Sequence, residues 1–127
     1  MWAEKGVNLD NALDYVNHAL EIEPDNAAYL DTIGWILFKK GNHEKALDFI
    51  RNAHVMMPGD PTILDHLGDV LAGLNREKMA LQAWIKSFQA DSSNLLVKKK
   101  LRDRGVDLNK LHPNTNPDIN PPNAVNE

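Results

Sequence analysis

A period of 34 residues is the feature of this sequence that most limits its fold. When the chain is aligned with itself at that offset, Ala12 coincides with Ala46 and Ala80, and Gly34 coincides with Gly68. Further coincidences at the same offset are Ala19 with Ala53, Pro24 with Pro58, Leu30 with Leu64, and Leu37 with Leu71. Matches at so many small, apolar and turn-forming positions predict a repeat protein, in which similar units stack on one another.

Each period contains two predicted helices. Asp60 and Pro61 form a helix-start signature, because an acidic cap precedes a proline whose missing N–H is harmless in the first turn. Helical spacing of apolar residues then predicts helices over 62–74 and 76–90, and the preceding period predicts helices over 27–40 and 43–57. In the last of the full periods, the residues predicted to point inward are Met79, Ala80, Ala83, Trp84 and Phe88.

Two glycines lie in the middle of predicted helices. Glycine costs about 1 kcal/mol relative to alanine there, so a close approach of a neighbouring helix is the expected compensation at Gly34 and Gly68. Ala46 and Ala80 are the predicted facing residues.

Composition excludes several classes of protein. The 127-residue chain has no cysteine, which excludes a disulfide framework, an iron–sulfur site and a thiolate zinc site, and leaves the cellular compartment open. The net charge of −4 divides into +4 over residues 98–104 and −8 elsewhere, so we expect no nucleic-acid partner. No apolar run reaches the ~20 residues that a membrane-spanning helix needs, so we expect no membrane insertion.

The repeated unit resembles the tetratricopeptide repeat (TPR) family. The stretch LDTIGWILFKKG at 30–41 with EKAL at 44–47, and LDHLGDV at 64–70 with ALQAW at 80–84, are similar to the C-terminal repeats of long bacterial TPR proteins. The match covers roughly residues 7–94. This resemblance implies an all-α, right-handed α-solenoid of helix-turn-helix units that works as a protein–protein interaction scaffold.

The resemblance also implies the organisation of the chain. A TPR domain over 1–104 comprises a partial repeat at 1–26, repeats at 27–60 and 61–94, and a capping helix at 95–104. In that helix, leucines at 95, 96 and 101 are predicted to face the core, Lys98, Lys99, Lys100, Arg102 and Arg104 to face solvent, and Gly105 to end it. Residues 105–127 are rich in asparagine and proline and are predicted to be disordered. The incomplete first repeat, with a helix stub at 1–5, indicates either a truncated protein or a bare face that docks on another molecule.

In TPR proteins the first helices of successive repeats line a concave groove that holds a peptide. Helical spacing places Asp31, Trp35 and Phe38 beside the buried stripe, and the next repeat offers Asp65 and Asp69 at equivalent positions. These five residues are the predicted peptide-binding site, with Trp35 as the anchor for a basic or mixed basic-apolar partner. The alternative is that Trp35 and Phe38 only pack against neighbouring helices and that the acids only keep the surface soluble. The same acids would repel the acidic tail that chaperone-binding TPR domains clamp.

No catalytic signature occurs in the sequence. A nucleophile elbow, a phosphate-binding loop, a dinucleotide fingerprint and a His-Glu-x-x-His pattern are all lacking, so we expect a protein that is not an enzyme and that has no cofactor or metal. Two alternatives to a peptide-binding scaffold remain. One is a homo-oligomeric assembly module that uses the incomplete N-terminal repeat, and the other is an accessory domain of a larger enzyme.

Overall fold

The computed structural model describes residues 8–111 and shows an all-α protein. Within that range lie six α-helices, a short 3-10 helix and no strand. The helices are α1 (Leu9–Ile22), α2 (Ala27–Lys39), α3 (His43–Met56), α4 (Pro61–Gly73), α5 (Glu77–Ala90), α6 (Leu95–Asp103) and the 3-10 helix (Leu108–Lys110). Each helix packs against the next one along the chain, and α2 also contacts α4. The architecture is therefore a repeat-like succession of helix pairs.

Side-chain caps determine where several helices begin. The Asp60 carboxylate accepts hydrogen bonds from the backbone N–H groups of Thr62 and Ile63 at 2.9 and 3.0 Å, and Pro61 occupies the first turn of α4. The predicted helix-start signature is thus confirmed. Asn94 caps α6 in the same way, through two backbone N–H groups.

The two mid-helix glycines lie against the second helix of their own pair. A methyl group at Gly34 would stand 2.4 Å from the Ile50 side chain and 3.1 Å from the carbonyl oxygen of Ala46. The predicted facing of Gly34 and Ala46 is confirmed. At Gly68 the nearest atoms belong to the buried Trp84 indole, 2.4–2.7 Å from such a methyl group, and not to Ala80. The predicted facing of Gly68 and Ala80 is therefore replaced by a contact between Gly68 and the Trp84 ring.

Three residues that were predicted to face the core are exposed: Met79, Leu95 and Leu96. In α6 the core positions are held by Val97 and Leu101, which are both fully buried. These two residues are four apart and define one stripe of the helix, and the two exposed leucines in the first turn fall outside that stripe.

The described residues after α6, 105–111, pack partly against the core. Gly105 ends α6 with a φ of +79°, as expected for a helix-stopping glycine. Val106, Leu108 and Leu111 then pack against the core, and Asp107 caps the 3-10 helix through the backbone N–H of Asn109. Residues 112–127 and the stub at 1–5 lie outside the described residues. Of the helices in residues 8–111, none combines the length and the hydropathy that crossing a bilayer requires.

Candidate functional site

The predicted site residues lie on α2 and α4, the first helices of two successive pairs, and α6 occupies the next equivalent place. Two further residues belong to the same surface because they bond to the predicted ones. We call the whole set the first-helix surface: Asp31, Trp35, Phe38, Asp65, His66, Asp69 and Lys100.

Asp31 and His66 join α2 to α4. Asp31 is only 7% exposed, and both of its carboxylate oxygens lie 2.9 Å from His66 Nδ1. Carboxylate oxygens accept hydrogen bonds, so the His66 Nδ1–H tautomer is the one that donates a hydrogen bond to this pair of oxygens. The same imidazole stacks on the Trp35 indole, with ring centroids 4.3 Å apart and planes 15° from parallel. One histidine side chain therefore holds both a carboxylate and an aromatic ring of the preceding first helix.

Four aromatic rings form a continuous row on this part of the molecule. Trp35 stacks on Phe38 at 5.3 Å as well as on His66, and Phe38 contacts the His43 ring at 4.8 Å. The Lys39 ammonium group lies 4.6 Å from the Trp35 ring centroid, within cation–π range. Trp35 and Phe38 are consequently half-buried, and only part of each ring remains accessible to a partner.

Lys100 joins α4 to α6 by bridging two carboxylates. Its Nζ donates to Asp65 Oδ1 at 2.7 Å and lies 2.9 Å from Asp69 Oδ1. Burial raises the pKa of Asp69, and the neighbouring Asp65 charge adds to that effect, while the hydrogen bond and charge of Lys100 act against it. Burial on its own lowers the pKa of Lys100, but the hydrogen bonds and charges of both carboxylates outweigh it and raise the pKa above its ordinary value.

The cationic residues of α6, and Arg104 directly after it, do not all face solvent as expected. Lys100 is turned onto the first-helix surface, and the Arg104 guanidinium lies 4.3 Å from the Trp84 ring centroid and 3.1 Å from a Glu77 oxygen. Lys99 and Arg102 remain exposed. The +4 cluster is therefore divided between inward contacts that fix α6 and an outward basic face.

Sequence reasoning missed His66 and Lys100 as members of this surface. Both contacts that bring them in have the same separation in sequence, because Asp31 to His66 and Asp65 to Lys100 are each 35 residues. The sequence signal for these contacts is an aspartate followed 35 residues later, one more than the repeat period, by a histidine or a lysine. The signal is hard to recognise because neighbouring residues of one helix point in different directions, so a pattern within a single helix does not show that they meet the same partner helix.

The polar groups of this part of the molecule do not form a metal centre. Among residues 8–111, no group of three or more His, Asp or Glu side chains is arranged to hold a metal ion. No protein-family model matches the chain, and no curated protein matches it significantly. The interpretation of the site therefore depends on its own geometry.

Proposed function

We propose that the chain is a TPR-type right-handed α-solenoid that serves as a binding scaffold, without catalytic activity, and that it holds a polypeptide partner on the first-helix surface. The 34-residue period, the glycine contacts within each pair and the consecutive packing of the helices support the TPR-type architecture. The observation that carries the binding proposal is the gathering of two partly exposed aromatic rings and three carboxylates on one side of α2 and α4.

Contacts within the chain already hold the side chains of this surface in place. Hydrogen bonds to Asp31, Asp65 and Asp69 come from the next first helix in each case, so the carboxylates hold their positions without a ligand. Pre-organisation of this kind lowers the entropy lost on binding. Trp35 and Phe38 lose little further freedom because they are already stacked.

The charge of the surface favours a basic or mixed basic-apolar segment. Two lysines lie close to this surface: Lys100 contacts Asp65 and Asp69, and Lys39 lies over the Trp35 ring. The three carboxylates therefore outnumber the lysine charges. Basic side chains of the partner would gain from the excess of negative charge, and apolar ones from the accessible parts of the rings. In this proposal Trp35 and Phe38 supply apolar contact, and the three aspartates set charge preference and orientation.

A peptide selection tests this proposal. The folded chain is used to select binders from a random peptide library, and the affinity of the best labelled peptide is measured by fluorescence anisotropy. The same peptide is then measured with the Asp65→Asn, Asp69→Asn double variant and with Asp48→Asn, a matched control on the exposed side of α3.

We expect the selected peptides to be rich in lysine, arginine and apolar residues. The double variant should bind the best of them about tenfold more weakly, which corresponds to ~1.4 kcal/mol, and the control should bind unchanged. Equal binding by all three proteins would place the binding site away from the first-helix surface. Selection of acidic peptides would contradict the proposed charge preference.

A further inference from the structure

The outer helices α1 and α6 carry opposite charges. α1 contains three acidic residues and no lysine or arginine, a formal charge of −3, whereas α6 contains four basic residues and one acid, a formal charge of +3. α1 packs against α2, and α6 packs against α5 and bonds to α4 through Lys100. Their outward sides carry exposed apolar residues, Tyr15 and Ile22 on α1 and Leu95 and Leu96 on α6.

The outward side of α1 is apolar as well as acidic. Tyr15 and Ile22 are 77% and 74% exposed, and a separation of seven residues places them on one stripe two turns apart. Asp14 and Glu21 have the same separation and form the adjacent exposed stripe. Single exposed apolar residues are common, but two in line beside two carboxylates make a patch about 10 Å long, from the helical rise of ~1.5 Å per residue.

The outward side of α6 has the complementary composition. Leu95 and Leu96 are 74% and 67% exposed in its first turn. Lys99 and Arg102 follow Leu95 at four and seven residues, on the same side of the helix, and both are exposed. This patch also extends about 10 Å along its helix and combines two apolar side chains with two positive charges. One of these, Lys99, also pairs with the exposed Asp103 at 2.8 Å, so a docking carboxylate would share or replace that partner.

We propose that the outward side of α6 in one copy of this chain docks on the outward side of α1 in a second copy. The occupant is a second copy because the two patches match in length, in apolar content and in opposite charge, and both belong to the same chain. Leu95 and Leu96 would cover Tyr15 and Ile22, and Lys99 and Arg102 would face Asp14 and Glu21. The contact is heterologous, so a pair of copies keeps one unused α1 patch and one unused α6 patch, and further copies can add in a row.

This arrangement is independent of the peptide site. The first-helix surface uses inward-turned Lys100, whereas the proposed contact uses the outward-turned residues of α6. It also differs from a symmetrical pairing of two α1 helices, in which like charges would face each other and repel.

Charge reversal at one patch at a time tests the proposal. The full chain is studied by sedimentation at increasing concentration, as wild type, as an α1 variant (Asp14→Lys, Glu21→Lys) and as an α6 variant (Lys99→Glu, Arg102→Glu). A control for the α6 variant, Lys45→Glu with Lys78→Glu, makes the same change of −4 in net charge at exposed positions on α3 and α5. Circular dichroism verifies that all four proteins are folded.

We expect the mass of the wild type and of the control to rise with concentration, and each single-patch variant to remain monomeric. A mixture of the α1 and α6 variants should associate again, because each acquires a partner of opposite charge. Raising the salt concentration from about 0.1 M to about 1 M, which shortens the Debye length from ~10 to ~3 Å, should reduce the association. A wild type that stays monomeric would overturn the proposal. An associating α6 variant would indicate α1–α1 pairing instead, and an associating α1 variant α6–α6 pairing, and either result would overturn it too.

Discussion

Asp31 and His66 are hydrogen-bonded at 2.9 Å across 35 residues of sequence, and the relationship recurs between Asp65 and Lys100 at 2.7 Å with the same separation. Asp65 is the 34-residue equivalent of Asp31, so each of these acids bonds to the residue one position beyond its own equivalent in the next first helix. The same offset in sequence therefore links α2 to α4 and α4 to α6. A repeated polar link of this kind fixes the register of the first helices and, with it, the positions of the proposed binding residues.

The Asp31–His66 link should be measurable as a coupling free energy. A double-mutant cycle with Asp31→Ala and His66→Ala, followed by urea denaturation, should give a coupling of about 0.5–3 kcal/mol because the two side chains share one hydrogen-bonded contact. A cycle that combines Asp31→Ala with Asp48→Ala, on the exposed side of α3, serves as the control. It should be additive within about 0.5 kcal/mol. An additive Asp31–His66 cycle would contradict the link.

The bridge made by Lys100 should be lost at high pH. Its pKa is raised in the folded state above the ordinary value of 10.5, so the stability that it contributes is fully present below 10.5 and disappears as the pH rises through the folded-state pKa. We expect the difference in unfolding free energy between wild type and Lys100→Met to be constant from neutral pH to about pH 10 and to shrink above 10.5. Denaturation of both proteins across this range is the measurement, since other lysines titrate equally in both. A difference that stays constant far above 10.5 would show that the ammonium charge does not make the bridge.

The contact between Gly68 and Trp84 should tolerate no additional methyl group. Gly68→Ala would bring a Cβ to 2.4 Å from the indole nitrogen of Trp84, which is itself hydrogen-bonded to the Asp65 carbonyl oxygen at 3.2 Å. We expect a loss of roughly 1–3 kcal/mol in unfolding free energy by overpacking, although alanine is the better helix former. Gly59→Ala is the control, because nothing lies within 4 Å of its Cβ and its φ is not positive. It should be neutral or stabilising by less than about 1 kcal/mol.

Two asparagines at helix starts should differ in their importance. Asn94 accepts hydrogen bonds from the backbone N–H groups of Leu96 and Val97 at the start of α6, whereas Asn42 precedes α3 without a side-chain cap bond. Asn94→Ala should therefore lower the unfolding free energy by about 0.5–2 kcal/mol. The change Asn42→Ala should cost less than about 0.5 kcal/mol. Thermal or urea denaturation of the two variants measures both losses. A larger loss of unfolding free energy for Asn42→Ala than for Asn94→Ala would contradict the prediction.

The helix pairs could be predicted from the sequence because repetition, caps and glycines all act locally. The expected helices over 27–40 and 43–57 end one residue later than α2 and α3, and the expected helix over 62–74 differs from α4 by one residue at each end. The α6 leucines were predicted less well. Helical periodicity gives the spacing of a buried stripe but not the direction in which the stripe faces. In the nine-residue α6, Val97 and Leu101 together define that direction, whereas Leu101 alone is compatible with more than one direction.

The site could be predicted only in part for a related reason. The positions of Asp31, Asp65 and Asp69 on one side of the first helices follow from the repeat and from helical spacing. Their partners do not, because a hydrogen bond between helices depends on the offset between them, which no single-helix pattern contains. Lys100 was accordingly assigned to solvent with the rest of its cluster, although its ammonium group lies between two carboxylates.

The central claim is that a polypeptide binds along the first-helix surface, and chemical-shift mapping tests it most directly. The 15N-labelled chain is titrated with the peptide obtained by library selection, and the Trp35 indole signal is assigned with a Trp35→Phe variant. We expect the signals of the Trp35 indole and of the backbone amides around Asp31, Asp65 and Asp69 to shift, and those of exposed α3 amides such as Asp48 to stay unchanged. Saturable shifts confined to α3 and α5, with the Trp35 indole unchanged, would contradict it.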